Sequence, residues 1–407
     1  LPAQWTASGR PMKKYRVLVL MHESLVPPDT LEGVSDEEML EWKTEFDVVS
    51  TLREIGHHVH PLGVSDDLGE IRQAIIEDKP HIVFNLLEEF HGVALFDQHV
   101  ASYLELMQQP YTGCNPRGLT LGHDKVLCKQ ILTYHRIPTP RFAVFLRNKV
   151  IRPQRKLKYP LLVKSVIEEA SLGITRDSIV YTDKQLVDRV LRVHEEVNTD
   201  ALVEEFVEGR EFYVGIMGNQ RLQTFPVWEL LFKNLPDDIP NIATARVKWD
   251  IEYQRKLGVT TRAVTDFPAA SIRKIVKLCK RIYRALYLSG YARIDLRVNP
   301  EGQIYVLEAN PNPDLSYGED FAESASTIDI SYEKLIKDQR SETRKLLNFC
   351  DLPWDIKCLE FYKRKDLISR TASKLQIRKP IYKDSLNTHP IYKALLRKYG
   401  DKYSWYN

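Results

Sequence analysis

Cysteine is scarce and unpatterned. The 407 residues hold five, Cys114, Cys128, Cys279, Cys350 and Cys358, and no C-x-x-C pair. Neither a disulfide framework nor a cysteine zinc site is indicated, and a reducing cytoplasm is the expected setting. No apolar run approaches the roughly 20 residues of a membrane helix, and no signal peptide is visible, so no membrane partner is expected. Three catalytic signatures are also missing: the G-x-S-x-G elbow, the H-E-x-x-H zinc helix and the G-x-x-x-x-G-K-[ST] phosphate loop. The chain as a whole nets only +3, with no low-complexity tract and no internal repeat. No nucleic-acid partner is expected.

What is present reads as a globular protein. The chain is 43% hydrophobic and 28% charged, long enough for two or three domains around sizeable cores. Its charge is uneven. Residues 331–407 carry 18 Lys and Arg against nine Asp and Glu, a net of +9 that leaves −6 for the rest. That step suits an appended basic tail. At the other end "LPAQWTASGRP" has no periodicity and precedes Met12. Residues 1–14 are set aside as a leader.

From residue 15 strands and helices alternate. "YRVLVLM" (15–21), "HVHPLGV" (58–64) and "HIVFNLL" (81–87) read as buried strands. Between them, residues 36–57 read as one helix stopped by Gly56, and residues 67–80 as another. Residues 91–114 read as a helix followed by a strand. This alternation predicts a small parallel α/β domain over 15–120. Beyond it the pattern is α+β. A helix in "HDKVLCKQILTY" and a strand in "YPLLVKSV" belong to a central unit over 121–200. Antiparallel strands within 201–232, a long helix over 268–288 and a final hairpin make a third unit over 201–330.

The hairpin, "YARIDLRVNPEGQIYVLEANPNP", carries acids where a buried strand would be apolar. Strict alternation puts Ile294, Leu296 and Val298 on one face and Arg293, Asp295 and Arg297 on the other. It also groups Ile304, Val306, Glu308 and Asn310. With Asn299–Gly302 as the turn, Val298 opposes Gln303, Arg293 opposes Glu308, and Asp295 lies diagonal to Glu308. Two carboxylates and an amide oxygen so spaced suit a hard cation such as Mg²⁺. By themselves these residues fit better a solvated strand face with a cross-strand Arg–Glu pair. Upstream, Lys164 ends an apolar strand, and a lone lysine there commonly snorkels to the surface. Lys125 is unremarkable in isolation. Glu204 and Glu205 interrupt "ALVEEFV", where an unpaired buried carboxylate is costly. Glu211 follows the turn in "EGRE", and "IEEASLGI" is a short loop of small residues.

Taken in order, these stretches resemble the ATP-grasp superfamily, and within it ligases like D-alanine–D-alanine ligase. The resemblance covers about residues 15–330. It rests on "YLELMQQPYTGCNP…GHDK", "PLLVKS…EEASLGI", "LVEEFVEGREFYVGI" and "YARIDLRV…IYVLEANPNP". It implies an ATP-grasp fold of three subdomains and an ATP-dependent carboxylate–amine ligase working through an acyl-phosphate. Lys125 and Lys164 are implied to contact ATP phosphates. Glu204, Glu205 and Val207 are implied to lie in the hinge that holds adenine, and Glu211 to bind ribose. Asp295, Glu308 and Asn310 are implied to hold two Mg²⁺ ions, for which Mn²⁺ can substitute. Arg293 is implied to steady the acyl-phosphate and the tetrahedral intermediate, and the loop Glu168–Gly173 to close over the phosphates. The implied partners are small-molecule carboxylate and amine substrates, and a homodimer is the oligomer the family allows. A small-molecule kinase and a nucleotide-binding regulator without turnover are the alternative functions.

The chain departs from that family in places. The first strand leads into "MHESLVPPDT", leaving His22 or Glu23 for the first substrate's amino group. Glu319 falls near the place of a serine that receives the second substrate's carboxylate. An acid there repels a carboxylate and favours an amine or cation. Lys248, Arg255 and Lys256 are the candidates for a further lysine ahead of the hairpin. Residues 340–385, from "LLNFCDLPWDIKCLEFYKRKD" to "RTASKLQIRKPIY", resemble a fragment of bacterial sulfotransferases, without that family's donor-binding loop.

Overall fold

The strand over residues 16–22 is apolar at nearly every position because it is covered on both faces. In the computed structural model, which describes residues 14–28, 34, 36–166, 174–236, 240–242, 244, 246–247 and 250–327, β1 (Arg16–His22) is the central strand of three. It pairs in parallel with β2 (His58–Val64) and β3 (Ile82–Asn85), in the order β2-β1-β3. Leu18 and Leu20 pack with Ile71, Val83 and Leu104 on one side. Val17, Val19 and Met21 pack with Val48 and Val49 on the other.

The helix expected over 36–57 is two. α1 (Asp36–Glu41) and α2 (Lys43–Glu54) are separated at Trp42, which leaves helical geometry at φ −123°, ψ 26° with its ring buried. α3 (Leu68–Asp78) is capped by Asp67, whose carboxylate accepts the Gly69 amide. α4 (Asp97–Leu106) follows. The strand expected after it shrinks to a single bridge between Val83 and Tyr111.

Two antiparallel sheets make up the rest. One runs β4-β7-β5-β6, from β4 (Phe142–Phe145), β5 (Leu161–Ser165), β6 (Ile179–Val180) and β7 (Ala201–Glu205). Its inner face packs on Leu186 and Val190 of α7 (Asp183–Arg192). The other runs β11-β10-β8-β12-β13, with β9 (Gln223–Thr224) beside β8 (Arg210–Met217). Its remaining strands are β10 (Trp228–Phe232), β11 (Val259–Ala263), β12 (Tyr291–Val298) and β13 (Ile304–Asn310). Between β10 and β11 lies the short α8 (Ile251–Leu257). The amphipathic α9 (Ala269–Ala285) lays Ile275, Leu278 and Ile282 against Phe212, Val214, Ile294 and Leu296. Each such side chain contributes about 1.5–3 kcal/mol by leaving water. α5 (Pro116–His123) and α6 (Lys125–Tyr134) add Leu119, Cys128 and Leu132 to the same core.

The hairpin register differs from strict alternation. Val298 pairs with Ile304, one residue further along than expected, and Leu296 pairs with Val306. A bulge at Leu307 then brings Asp295 opposite Glu308 and Arg293 opposite Asn310. The pairing of Arg293 with Glu308 is therefore corrected. So is the shared face of Val306 and Glu308. The extra residue reverses the alternation, so Val306 and Ala309 both enter the core. Glu308 thus joins the side of the sheet that Asp295 faces.

The described residues up to 326 belong to one compact unit. The leader, the loop Glu168–Gly173, Lys248 and the sulfotransferase-like segment lie outside the described residues. α10 (Asp320–Ser326) closes that unit.

Candidate active site

A cleft separates the second sheet from the third. Lys125, Lys164 and residues Glu204–Val207 line one wall; Glu211, Asp295 and Glu308 line the other. It holds about 790 Å³ of free space, open solvent included.

The first wall begins at α6. Asp124 caps it by accepting the Leu127 amide at 2.8 Å, which fixes Lys125 at the first helical position. Lys129 follows one turn later, in line with Lys125. β5 presents Leu162 and Lys164 to the cleft while Leu161 and Val163 enter the core behind. On β7, Glu204 pairs with Leu162 and so lies diagonal to Lys164. Its carboxylate meets Lys164 Nζ at 2.7 Å and is also ion-paired with Lys129. All three are almost wholly buried. Burial pushes the Glu204 carboxyl up, but the two ammonium groups outweigh it and hold the carboxyl below its ordinary value. Burial opposes the charge of Lys164 too, and Glu204 and Glu308 reverse that and raise it. For Lys129 burial wins and its ammonium is held low, despite Glu204. The cost that "ALVEEFV" signalled is thus met by two lysines rather than by water.

Past β7 the chain forms a hinge. The Glu205 and Phe206 amides donate to the Arg141 and Pro160 carbonyls at 2.9 Å, and the Glu205 carboxylate accepts the Lys158 amide at 3.0 Å. Gly209, at φ +141°, ends the hinge where a Cβ would run into the Val298 carbonyl. Arg297 then secures it. Its guanidinium donates to the Val207 carbonyl at 2.9 Å and to Glu211 Oε2 at 2.7 Å, and lies over the Phe206 ring at 4.9 Å. The Tyr213 hydroxyl donates to Glu211 Oε1 at 2.9 Å.

On the second wall Arg293 grips Asp295 in a two-pronged pair, Nε to Oδ1 at 2.8 Å and Nη2 to Oδ2 at 2.9 Å. Burial alone would disfavour the Arg293 charge, but Asp295 overrides it and raises the guanidinium well above its ordinary value. The Arg293 guanidinium also lies over the Tyr213 ring at 4.9 Å. Asn310 Oδ1 accepts the Asn312 amide at 2.8 Å.

Among the described residues there is no group of three His, Cys, Asp or Glu to cage an ion by itself. Asp295 and Glu308, paired across the hairpin and both facing the cleft, fit a different kind of site. Mg²⁺ is commonly held by one or two carboxylates and completed by phosphate and water oxygens. The donor set therefore fits a phosphate-bound hard cation.

Of the residues singled out in the sequence, Lys125, Lys164, Glu204, Glu205, Val207, Glu211, Asp295 and Glu308 line this one cleft. Arg293 and Asn310 stand beside it, opposite each other on the hairpin. Arg255 and Lys256 are exposed on α8 and are not among its lining residues. His22 holds the Ser24 hydroxyl at 2.8 Å and faces Glu89 at 3.5 Å, while Glu23 opens a short 3₁₀ turn. Sequence reasoning passed over Lys129 and Arg297. The spacing in "KVLCK" and the pleat shared by Asp295 and Arg297 were the available signals.

Comparison with known proteins gives the family. Residues 131–339 match the family model described as D-ala D-ala ligase C-terminus. The D-alanine–D-alanine ligase of Aquifex aeolicus is 30% identical over 304 residues, 75% of this chain and 96% of that protein. The chain belongs to the D-alanine–D-alanine ligase family. A protein of Sinorhizobium fredii named y4sG, described as uncharacterised, is also 30% identical, over 71% of this chain and 84% of its own. The crystal structure of the Bacillus anthracis D-alanine–D-alanine ligase complexed with ATP superposes with a TM-score of 0.58 at 23% identity, covering 83% of this chain and 99% of that one. The D-Ala:D-Ser ligase VanG of Enterococcus faecalis gives 0.57 at 19% identity, over 83% and 99%. The fold is the ATP-grasp fold that the sequence resembles. As a member of this ligase family the chain is an ATP-dependent carbon–nitrogen ligase, and ligases of the family use ATP and a divalent metal. The family match runs past residue 331, where the basic segment was expected to begin.

Proposed function

We propose that the chain activates an amino-acid carboxylate as an acyl-phosphate and joins it to an amine other than D-alanine. The observation that carries this reading is the single cleft in which Lys125, Lys164 and Glu204 face Asp295 and Glu308. Adenine lies along the hinge from Glu204 to Val207, and Glu211 takes the ribose. Lys125 and Lys164 neutralise the phosphates while the substrate carboxylate attacks the γ-phosphorus in line. Asp295, Glu308 and Asn310 hold two Mg²⁺ ions, which supply charge neutralisation on the phosphates. Arg293, fixed by Asp295, steadies the acyl-phosphate and the oxyanion formed when the amine attacks.

The acceptor differs from D-alanine because its place is acidic. Partial burial, Asp314 and Asp320 hold the Glu319 carboxyl above its ordinary value, with Lys43 and Arg293 opposing them. A second carboxylate brought there meets like charge, whereas a cationic or neutral amine does not.

The test is a pairwise screen for ADP and phosphate release, with a panel of amino acids that includes D-alanine as donors and a panel of amines and amino acids as acceptors. An amide should form at least tenfold faster with an amine lacking a carboxylate than with D-alanine. Efficient D-alanyl-D-alanine formation at millimolar substrate would show the acceptor reading to be wrong. A stable phosphorylated product would mean a kinase, and absence of ATP turnover in every pair a binding protein.

A further inference from the structure

Lys129 is only 2% exposed, yet its ammonium has three acceptors, one on β7, one on β13 and one in the loop before β4. It is ion-paired with Glu204 on the nucleotide wall. It donates to Thr139 Oγ1 at 2.8 Å and reaches the Leu307 carbonyl at 3.4 Å. Leu307 is the extra residue of the hairpin bulge, the one that turns Glu308 to the side of Asp295. Thr139 tightens the same place, donating through its hydroxyl to the Val306 carbonyl at 3.2 Å. The Val306 amide in turn donates to the Pro138 carbonyl at 2.9 Å. Bulges are held where something pins their unpaired backbone. Here a buried ammonium does so, and its three donors match its three acceptors.

We propose that Lys129 is a positioning residue that couples the nucleotide wall to the metal-binding hairpin. One ammonium fixes the Glu204 carboxylate and pins the bulge that aims Glu308. The inference rests on the reading of the cleft as a Mg-nucleotide site. Lys125, on the same face of α6, lines the cleft itself. Lys129 sits a turn further in, bonded to the protein rather than lining the cleft.

The two halves of the role separate experimentally. Lys129→Met keeps the apolar stem and removes every donor. Thr139→Val removes only the hydroxyl that links Lys129 to the Val306 carbonyl. Titration calorimetry with ADP, with and without Mg²⁺, reads nucleotide affinity and metal dependence without turnover. Lys129→Met should weaken metal-free ADP binding at least tenfold. It should also raise the Mg²⁺ concentration for half-maximal tightening at least threefold. Thr139→Val should raise the Mg²⁺ requirement by a similar factor and leave metal-free ADP affinity within twofold of wild type. If Lys129→Met does not fold, Lys129→Met with Glu204→Gln also removes the carboxylate left with one ammonium instead of two. That pair should fold and still show the raised Mg²⁺ requirement. Variants that only melt earlier, with Mg²⁺ dependence within twofold of wild type, would overturn the coupling while the cleft reading stands. A wild-type chain that binds no Mg-ADP would instead overturn the reading of the cleft, and with it this inference.

Discussion

Glu308 owes its place to one residue that looks like an ordinary strand position. Sequence alternation assigns Glu308 to the same face as Val306, which lies in the core. Leu307 shifts the phase, and the carboxylate comes opposite Asp295. The charges of the hairpin were legible, because acids on a strand stand out against apolar neighbours. The bulge was not, because an extra apolar residue leaves no mark on composition. Glu204 was legible in the opposite sense: an acid in "ALVEEFV" announces a buried partner without saying which. Its partners are Lys164, at 2.7 Å, and Lys129, and the sequence alone named neither for this pairing. At this scale Glu308→Gln should fold as wild type, since the side chain keeps its size. ATP turnover should fall at least about 100-fold, because a charge facing the phosphates is lost. Turnover within a few-fold of wild type, measured by ADP release, would contradict the metal assignment.

One element beside the parallel sheet reaches the segment that follows the hairpin. α2 holds the segment after the hairpin through Thr44, whose hydroxyl donates to Asp314 Oδ1 at 3.0 Å. Asp47 adds to this by accepting the Tyr317 amide at 2.9 Å. Beside them Glu45 is buried, and burial, with a smaller push from Asp314, drives its carboxyl up to about 7 against the pull of its own backbone amide. The ordinary value is 4.5. As pH rises from 4.5, the unfolded chain loses this proton while the folded chain keeps it until about 7. Stability therefore falls across that window, by about 3 kcal/mol at most, and levels off above it. Glu45→Gln removes the titration. The variant should gain up to about 3 kcal/mol on wild type between pH 4.5 and pH 8, read by urea unfolding. An equal stability difference at both pH values would contradict the buried-acid reading. None of this was legible from periodicity, which joined α1 and α2 into one helix. Trp42 breaks the run by burying its ring, a tertiary effect that local spacing does not encode.

For the whole molecule, the order of elements was legible because each sheet writes its own pattern. The parallel strand β1 is apolar from Val17 to Met21, being covered on both faces. The antiparallel strands of the third sheet alternate, with Ile294 and Leu296 in the core and Asp295 and Arg297 lining the cleft. Where two elements meet, the cleft appears only in three dimensions. Arg297 shows this. Its sequence neighbours mark it as an outward strand residue, whereas the fold uses it to tie Glu211 to the Val207 carbonyl. Among the described residues no helix is long and apolar enough to cross a membrane. The ligase chemistry rests on phosphate transfer to a carboxylate, and oxygen labelling follows that transfer directly. D-Alanine carrying ¹⁸O in its carboxylate is incubated with ATP, Mg²⁺ and the acceptor panel, and the released phosphate is weighed by mass spectrometry. One ¹⁸O per phosphate, with ADP as the nucleotide product, is the predicted result. Unlabelled phosphate, or AMP with pyrophosphate, would contradict activation through an acyl-phosphate.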